Sequence, residues 1–153
     1  MVSYLIRVWS LTLLSCAVSA SAVPRYSATV IGPLAGYSAG CVKPVTCPLI
    51  MVSGINASGQ VVGCSNGHGF LYANGGLTDL TMWGMGCASG INDSSQIIGF
   101  ALGGGAALFS KGTVIPMPWF QLPSAINNSG QIVGLSTDGK SSLIYSTNVT
   151  TNL

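Results

Sequence analysis

Few side chains in this sequence could carry acid–base chemistry. After the first 22 residues they are one histidine, His68, and three aspartates, Asp79, Asp93 and Asp138. General acid–base catalysis needs two titratable groups held close together, and a Ser-His-Asp triad could be drawn from His68, Asp79 and one of many serines. Asp93 and Asp138 lie in turn-like segments, where aspartate bonds to the nearby backbone, and Asp79 ends a predicted strand. Structural roles are favoured for all four residues, and a secreted hydrolase using His68 and Asp79 is the alternative.

Metal and cofactor chemistry has less support. The four cysteines after residue 22 contain no C-x-x-C pair, and a single histidine gives no zinc-ligand spacing. The glycine run at 103–105 lies between two predicted strands and does not open a helix, so it predicts a loop and not a phosphate cradle. With only five basic and three acidic residues, the chain cannot present the basic stripe that nucleic acid requires. We therefore predict no metal, no cofactor and no nucleic-acid partner.

One sequence phrase of ten residues occurs three times, and the structure that it forms must position any functional site. With small changes it reads Gly-Ile-Asn-x-Ser-Gly-Gln-Val-Val-Gly, and its copies begin near Gly54, Gly90 and Ala125. Successive Ile-Asn steps are 36 and then 35 residues apart. A fixed period of this length indicates a repeat architecture. We predict a single β-repeat domain over residues 23–153, with a degenerate partial repeat before the first copy.

Each copy predicts four short antiparallel strands. The β-branched pair after the glutamine suits a pleated, half-buried surface. The preceding Asn-x-Ser-Gly segment has hairpin chemistry, because Asn can bond its own backbone and Gly accepts positive φ. In the second copy Ser95 stands at the glycine position, so that turn is expected to be strained or of another type. No stretch after the N-terminal segment has a sustained 3.6-residue period, so almost no helix is predicted.

The repeats resemble the bacterial extracellular HAF-repeat family. The similarity rests on Ile-Asn-x-x-Gly-Gln-Val-Val-Gly, then His68-Gly69-Phe70 with Leu and Tyr, a Gly-containing turn and Asp-Leu. It covers nearly the whole chain after residue 22, because Tyr26 to Leu34 looks like the end of a preceding, degenerate copy. The second and third copies depart from the pattern by lacking the histidine. The resemblance implies a secreted, β-rich repeat protein and supplies no functional residues.

The N-terminus has the features of an export signal. Arg7 precedes an apolar run from Val8 to Val18, and Ala20-Ser21-Ala22 fits an A-x-A cleavage site. We predict a signal peptide over residues 1–22, with a lipid anchor at Cys16 as the alternative. The apolar run is shorter than the about 20 residues of a spanning helix, so no membrane span is predicted. The expected location is extracellular or in the cell envelope.

The even number of cysteines after residue 22 indicates two disulfides in an oxidising compartment. The candidates are Cys41, Cys47, Cys64 and Cys87, which allow three pairings. The favoured pairing joins Cys41 to Cys47 around Pro44, and Cys64 to Cys87. The second bond would tie one repeat to the next.

Four-stranded repeats of this length usually form the blades of a β-propeller. Propellers typically have four to eight blades, whereas this chain supplies three and a leading fragment. The leading fragment could complete a degenerate fourth blade, or the blades could form an open array with covered or paired ends. The expected fold is all-β with tandem, propeller-like blades, and a β-trefoil is the alternative.

Two functional classes follow. The first is a secreted or cell-surface, non-catalytic module with a binding or structural role, whose partner is an extracellular glycan or protein, or further copies of the chain in a homo-oligomer. Trp83 and Trp119 fall in the connections between repeats and are the candidate partner contacts, although filling gaps between repeats is the favoured role of both. The second class is the hydrolase using His68 and Asp79.

Overall fold

The structure is a computed structural model that describes residues 27–32, 34, 50–146 and 149–152. The described residues form twelve strands: β1 (Ile50–Ile55), β2 (Val61–Ser65), β3 (His68–Ala73), β4 (Gly76–Asp79), β5 (Met85–Ile91), β6 (Ile97–Ala101), β7 (Ala106–Ser110), β8 (Thr113–Pro116), β9 (Phe120–Ile126), β10 (Ile132–Ser136), β11 (Ser142–Ser146) and β12 (Val149–Asn152). A single 3-10 turn, Leu80–Trp83, follows β4. The prediction of an all-β chain with almost no helix is confirmed.

The strands form three four-stranded antiparallel sheets, each in sequence order. We call these sheets the first blade (β1–β4), the second blade (β5–β8) and the third blade (β9–β12). Consecutive blades pack face to face, and in the described part of the chain the sheets do not join into a closed barrel. The prediction of tandem four-stranded blades is confirmed, and the trefoil alternative is not what these residues adopt.

The β-branched pairs explain why blades of this sequence stack. Adjacent residues of a strand point to opposite faces of the sheet, so each pair serves two interfaces. Ile97 packs in the core between the first and second blades, whereas Ile98 packs in the core between the second and third. Both side chains are fully buried. A blade of this kind cannot bury its apolar surface alone, and the stack is its hydrophobic core.

A disulfide joins the first two blades. Cys64 in β2 is bonded to Cys87 in β5, with their Cα atoms 4.9 Å apart. Closing a loop of this sequence separation stabilises a protein by about 3 kcal/mol in the chain-entropy description. The other favoured pair, Cys41 with Cys47, lies outside the described residues, as do the predicted signal peptide and Cys16.

The asparagine of each repeated phrase clamps the turn between the first two strands of its blade. In the second blade, Asn92 Oδ1 accepts hydrogen bonds from the backbone N–H of Ser94 at 3.1 Å and of Gln96 at 2.9 Å. Asn92 Nδ2 donates to Gln96 Oε1 at 2.7 Å. The first and third blades have the same bond from the asparagine to its glutamine. The glutamine of the phrase is therefore part of the clamp.

The clamps are also bonded to one another along the stack, which we call the turn ladder. Asn56 Nδ2 donates to the carbonyl oxygen of Asn92 at 3.1 Å, and Asn92 Nδ2 donates to that of Asn127 at 3.0 Å. A second rail runs through the next residue of each turn. The Ala57 N–H donates to Asp93 Oδ1 at 2.8 Å, and the Asp93 N–H donates to Asn128 Oδ1 at 3.0 Å. The sequence prediction assigned these asparagines to their own turns only, and the ladder is an additional role.

Ser95 keeps the turn type of its glycine counterparts. Its φ is +57°, close to +74° at Gly59 and +76° at Gly130. Its N–H donates to the Asn92 carbonyl oxygen at 3.0 Å, the bond that Gly59 and Gly130 also make within their turns. The hydroxyl group adds a contact that glycine cannot make, because Ser95 Oγ donates to Gln60 Oε1 of the first blade at 2.7 Å. The turn is thus strained, as expected, but of the same type.

The ladder predicts that the same substitution has different costs at two equivalent positions. Asn92→Ala removes both the clamp and the bond to the third blade at a buried site, and we expect it to lower the free energy of unfolding by about 3 kcal/mol. Within one chain, Asn127→Ala removes only an exposed clamp, at about 1 kcal/mol. Urea unfolding of the two variants, at protein concentrations where the chain is monomeric, measures the difference, and equal losses would contradict a ladder.

Ser95 allows the backbone strain to be separated from the contact between blades. Ser95→Ala retains the positive φ and loses the bond to Gln60, so we expect a loss of about 1 kcal/mol. Ser95→Gly loses the same bond and relieves the left-handed conformation, which costs a non-glycine residue about 1 kcal/mol or more. The glycine variant should therefore unfold at a higher urea concentration than the alanine variant. The reverse order would show that the positive φ is not a strained feature.

Candidate functional site

The structure brings together His68 and Asp79, the two residues of the hydrolase alternative. His68 begins β3 and Asp79 ends β4, and His68 Nδ1 lies 3.3 Å from Asp79 Oδ2. Thr81 completes the group, since its backbone N–H donates to Asp79 Oδ1 at 2.9 Å and its hydroxyl donates to the same oxygen at 2.6 Å. These bonds make Asp79 the N-terminal cap of the 3-10 turn. This capping role explains the position of the Asp79 carboxylate.

The environment of Asp79 changes its acidity. Partial burial raises the pKa of this carboxyl group. The hydrogen bonds from the Thr81 hydroxyl, the Thr81 backbone and His68 together lower it by more, so the net pKa lies below the ordinary value. The carboxylate is therefore held ionised. An aspartate held ionised in this way does not itself exchange protons near pH 7, although an ionised aspartate is what orients the histidine of a Ser-His-Asp triad.

The chain also contains a serine in a frame that the sequence analysis did not use. Gly36-Tyr37-Ser38-Ala39-Gly40 fits the Gly-x-Ser-x-Gly pattern of a nucleophile elbow. That pattern places its serine on a turn from a strand into a helix. The segment lies outside the described residues, so Ser38 enters the hydrolase alternative as a sequence feature alone.

The other two aspartates have structural partners. Asp93 belongs to the turn ladder, where its carboxylate accepts bonds from Ala57 and from Asn128 Nδ2 at 2.6 Å. Asp138 accepts bonds from the Ser136 hydroxyl and from the Lys140 backbone N–H at 3.0 Å, and these bonds lower the pKa of its carboxyl group. Both positions agree with the turn roles predicted for them.

The described residues contain no group of three or more metal-ligating side chains. Over the same ranges no helix has the length and apolar character needed to cross a membrane.

Trp83 and Trp119 each follow one blade and pack against the next. The Trp83 ring lies 5.7 Å from the ring of Phe109, and Trp119 stacks on Tyr145 at 5.7 Å with an interplanar angle of 23°. Trp83 remains 38 % exposed and Trp119 36 % exposed. The two indoles therefore contact the neighbouring blade and still present part of their surface to solvent. Their role as partner contacts stays a prediction.

A polar cleft of about 470 Å³ lies between the second and third blades. Its wall carries serine hydroxyls, the amides of Gln96 and Asn128, the Lys111 side chain, and Tyr145. The Tyr145 ring is also stacked on Trp119. Small-molecule sites combine aromatic and apolar side chains with a few polar groups, and this cleft has an aromatic ring among a larger share of polar groups. Both amide atoms of Asn128 are bonded to Asp93 in the turn ladder.

The cleft depends on one difference between otherwise equivalent turns. At the junction of the first two blades, the Ser95 hydroxyl bonds to Gln60 across the gap. Gly130 is the equivalent residue at the next junction, and a Cβ placed there would lie 3.3 Å from Gln96 Oε1. Since glycine supplies no side chain, this space stays open. The sequence analysis missed the cleft, although the Ser95-to-Gly130 difference was visible in the aligned phrases.

The chain was compared with known protein families and with curated proteins, and neither comparison gives a match.

The lowered pKa of Asp79 predicts a specific acid dependence of stability. A carboxyl group whose folded-state pKa lies below its unfolded value stabilises the fold above the unfolded pKa, and that contribution is lost as the pH falls through the folded pKa. The wild-type protein should therefore lose more stability than Asp79→Asn as the pH falls from 5 toward about 2. Urea unfolding across this range measures both proteins. The Asp138 carboxyl group is present in both and cancels from the difference, and parallel pH profiles would contradict the prediction.

Proposed function

We propose that this protein is an exported, non-catalytic β-repeat module that binds a neutral, polyhydroxylated ligand, an oligosaccharide, in the cleft between its second and third blades. The observation that carries the proposal is the cleft itself, where amide and hydroxyl groups stand beside an aromatic ring. Sugars present the matching chemistry, because they carry many hydroxyl groups around an apolar ring face that can lie on an aromatic side chain.

The charge of the protein supports a neutral ligand. The chain has five basic and three acidic residues in all, and Lys111 is the only charged side chain among those lining the cleft. A lysine ammonium group donates up to three hydrogen bonds and can serve hydroxyl acceptors. A strongly charged ligand would need more than one such group to offset its desolvation.

Several observations support action outside the cell. The Cys64–Cys87 disulfide is compatible with an oxidising, extracellular location, and the N-terminal sequence has the order of charge, apolar run and cleavage site that export signals have. The resemblance to HAF repeats implies the same location. We include secretion in the proposal on these grounds.

The binding test uses a substitution that the protein already contains at an equivalent turn. Gly130→Ser should fill the cleft as the Ser95 hydroxyl fills the preceding junction. Gly59→Ser is the matched control, because Gly59 has a similar positive φ of +74° and no atom within 4 Å of an added Cβ. Both variants carry the same backbone strain, and within one chain only the first reaches the cleft. Binding is therefore measured at protein concentrations where the chain is monomeric.

We expect a glycan array to identify an oligosaccharide that binds the wild-type protein. In titration calorimetry with that sugar, Gly130→Ser should weaken binding at least about tenfold, the equivalent of about 1.4 kcal/mol, whereas Gly59→Ser should leave it unchanged. A blank array, or equal binding by both variants, would refute the oligosaccharide site.

The hydrolase alternative has its own test. The wild-type protein, His68→Ala and Ser38→Ala are assayed on a panel of ester and glycoside substrates. We expect no turnover by any of the three proteins. Turnover by the wild type that either substitution abolishes would establish catalysis and contradict a non-catalytic module.

A further inference from the structure

The two junctions within the stack are built from the same parts. We call the face of a blade that packs on the following blade its downstream face, and the opposite face its upstream face. Val62 and Ile98 are equivalent residues on downstream faces, and both are fully buried by the next blade. Ile91 and Ile126 are equivalent residues on upstream faces and pack into the same two cores. Each Ile-Asn step therefore delivers an isoleucine to the blade before it.

The upstream face of the first blade exposes the residues that the other blades bury. Ile55 is the counterpart of Ile91, yet 68 % of its surface is exposed compared with 8 %. Val52 is the counterpart of Ala88, and 58 % of it is exposed compared with 3 %. Burying Ile55 alone would be worth about 1.5 kcal/mol or more. In the described part of the chain, no blade covers these side chains.

The downstream face of the third blade is open in the complementary way. Val133 is the counterpart of Val62 and Ile98 and is only partly buried. It lines a groove of about 550 Å³ together with Leu122 and Leu135. Ser142, which is exposed in this groove, is the counterpart of Gly69 and Ala106, both buried beneath a following blade.

The turn ladder ends at the same two faces. Asn56 and Asn92 each donate from Nδ2 to the carbonyl oxygen of the following turn, whereas the described residues offer Asn127 no following turn. At the other end of the ladder, no asparagine of a preceding turn bonds to the Asn56 carbonyl oxygen within the described ranges. The third-blade end of the stack thus presents the Asn127 amide as a donor, and the first-blade end presents the Asn56 carbonyl oxygen as an acceptor.

Leu34 already occupies part of the upstream face of the first blade. Leu80 and Met117 follow the last strands of the first and second blades, and each is buried in the junction with the next blade. Leu153 holds the equivalent position after β12 and lies outside the described residues. Leu34 is buried against Phe70 and Tyr72 on the upstream face of the first blade, in the place that corresponds to Leu80 and Met117. The β1 side chains of this face stay open.

We propose that the downstream face of the third blade docks on the upstream face of the first blade of a second copy of this chain. The new junction would repeat the two that exist, with Ile55 of one copy on the Val133 groove of the other and Asn127 Nδ2 bonded to the Asn56 carbonyl oxygen. Ala125 requires the new junction to have the spacing of the second junction. A Cβ at the equivalent Gly90 would lie 3.9 Å from Ile126 Cγ2 of the following blade, whereas one at Gly54 would lie 3.2 Å from Gly90 Cα.

Counting blades gives the size of the assembly. The described residues of each chain form three blades. Propellers typically contain four to eight blades, and six is the only multiple of three in that range. Two copies joined head to tail through their described blades would make two identical junctions and a six-bladed ring. This inference does not depend on oligosaccharide binding, because the cleft lies between two blades of one chain.

The first measurement is the mass of the purified, full-length protein in solution. Light scattering after size exclusion should give twice the mass of one chain. Ile55→Lys places a charge on the upstream face, and Ser142→Glu places one on the downstream face, both at exposed sites. Each variant should be monomeric. Met82→Lys is the control, because Met82 is also highly exposed but lies outside both faces, and it should remain a dimer.

Mixing the two face variants separates a head-to-tail junction from a symmetric contact. Ile55→Lys retains an intact downstream face and Ser142→Glu an intact upstream face, so an equimolar mixture should form a heterodimer through one junction at concentrations where neither variant associates alone. In a contact between two copies of one face, one of the variants would dimerise by itself. That result, or a monomeric wild type, would overturn the proposal.

A gain-of-function variant tests the ladder at the new junction. Asp93 and Asn128 accept the backbone N–H of the preceding turn, but Ala57 at the same position has no acceptor. Ala57→Asn should give the Asn128 N–H of the other copy a partner and lower the dimer Kd about three- to tenfold. An unchanged or higher Kd would overturn the placement of Asn128 beside residue 57.

Circular dichroism melts of all variants distinguish lost association from lost folding, and oligosaccharide binding by Ile55→Lys should be unaffected.

Discussion

The bond from the asparagine amide of one turn to the backbone carbonyl of the next is the interaction on which the stack depends. Asn92 shows why. Its Oδ1 accepts bonds within its own turn, and its Nδ2 donates both to Gln96 and to the Asn127 carbonyl oxygen. A buried amide with every group satisfied is favourable, whereas the same amide with one partner missing is costly. Each blade therefore has to sit in register with its neighbour before its turn is fully bonded.

This requirement explains which parts of the repeat vary in length. The ladder segments run from asparagine to glutamine with the same spacing in all three blades, 56–60, 92–96 and 127–131. The connections elsewhere differ: two residues separate β2 from β3, and four separate β6 from β7. These connections lie at the end of the strands opposite the ladder turns, so a change in their length leaves the bonds of the ladder intact. The periods of 36 and 35 residues reflect such changes.

The sequence predicted local structure well because turn and strand chemistry is local. The order of four strands in each repeat and the near absence of helix followed from residue types and spacing, and the bond between Cys64 and Cys87 was the favoured one of three pairings that the sequence left open. The ladder was not predictable in this way, since it joins residues 35 or 36 positions apart whose own turns already gave them a role. The cleft was missed for a related reason: it arises where Gly130 fails to make a contact that Ser95 makes.

A repeated turn whose polar groups are committed to the ladder leaves function to the positions where the copies differ. His68 and Asp79 are such a difference, but the carboxylate caps the 3-10 turn. Gly130 is another, and it opens a cleft. Ala57 is a third difference, because it has no side-chain acceptor and so ends the second rail of the ladder at the first blade. The Asn56 carbonyl oxygen of the first rail could still accept a bond. A junction at the first blade would have the bond to the Asn56 carbonyl oxygen but no bond to a side chain at residue 57. We therefore expect it to be weaker than the junctions within the chain. Such a junction would let assembly respond to protein concentration while each three-bladed unit stays intact.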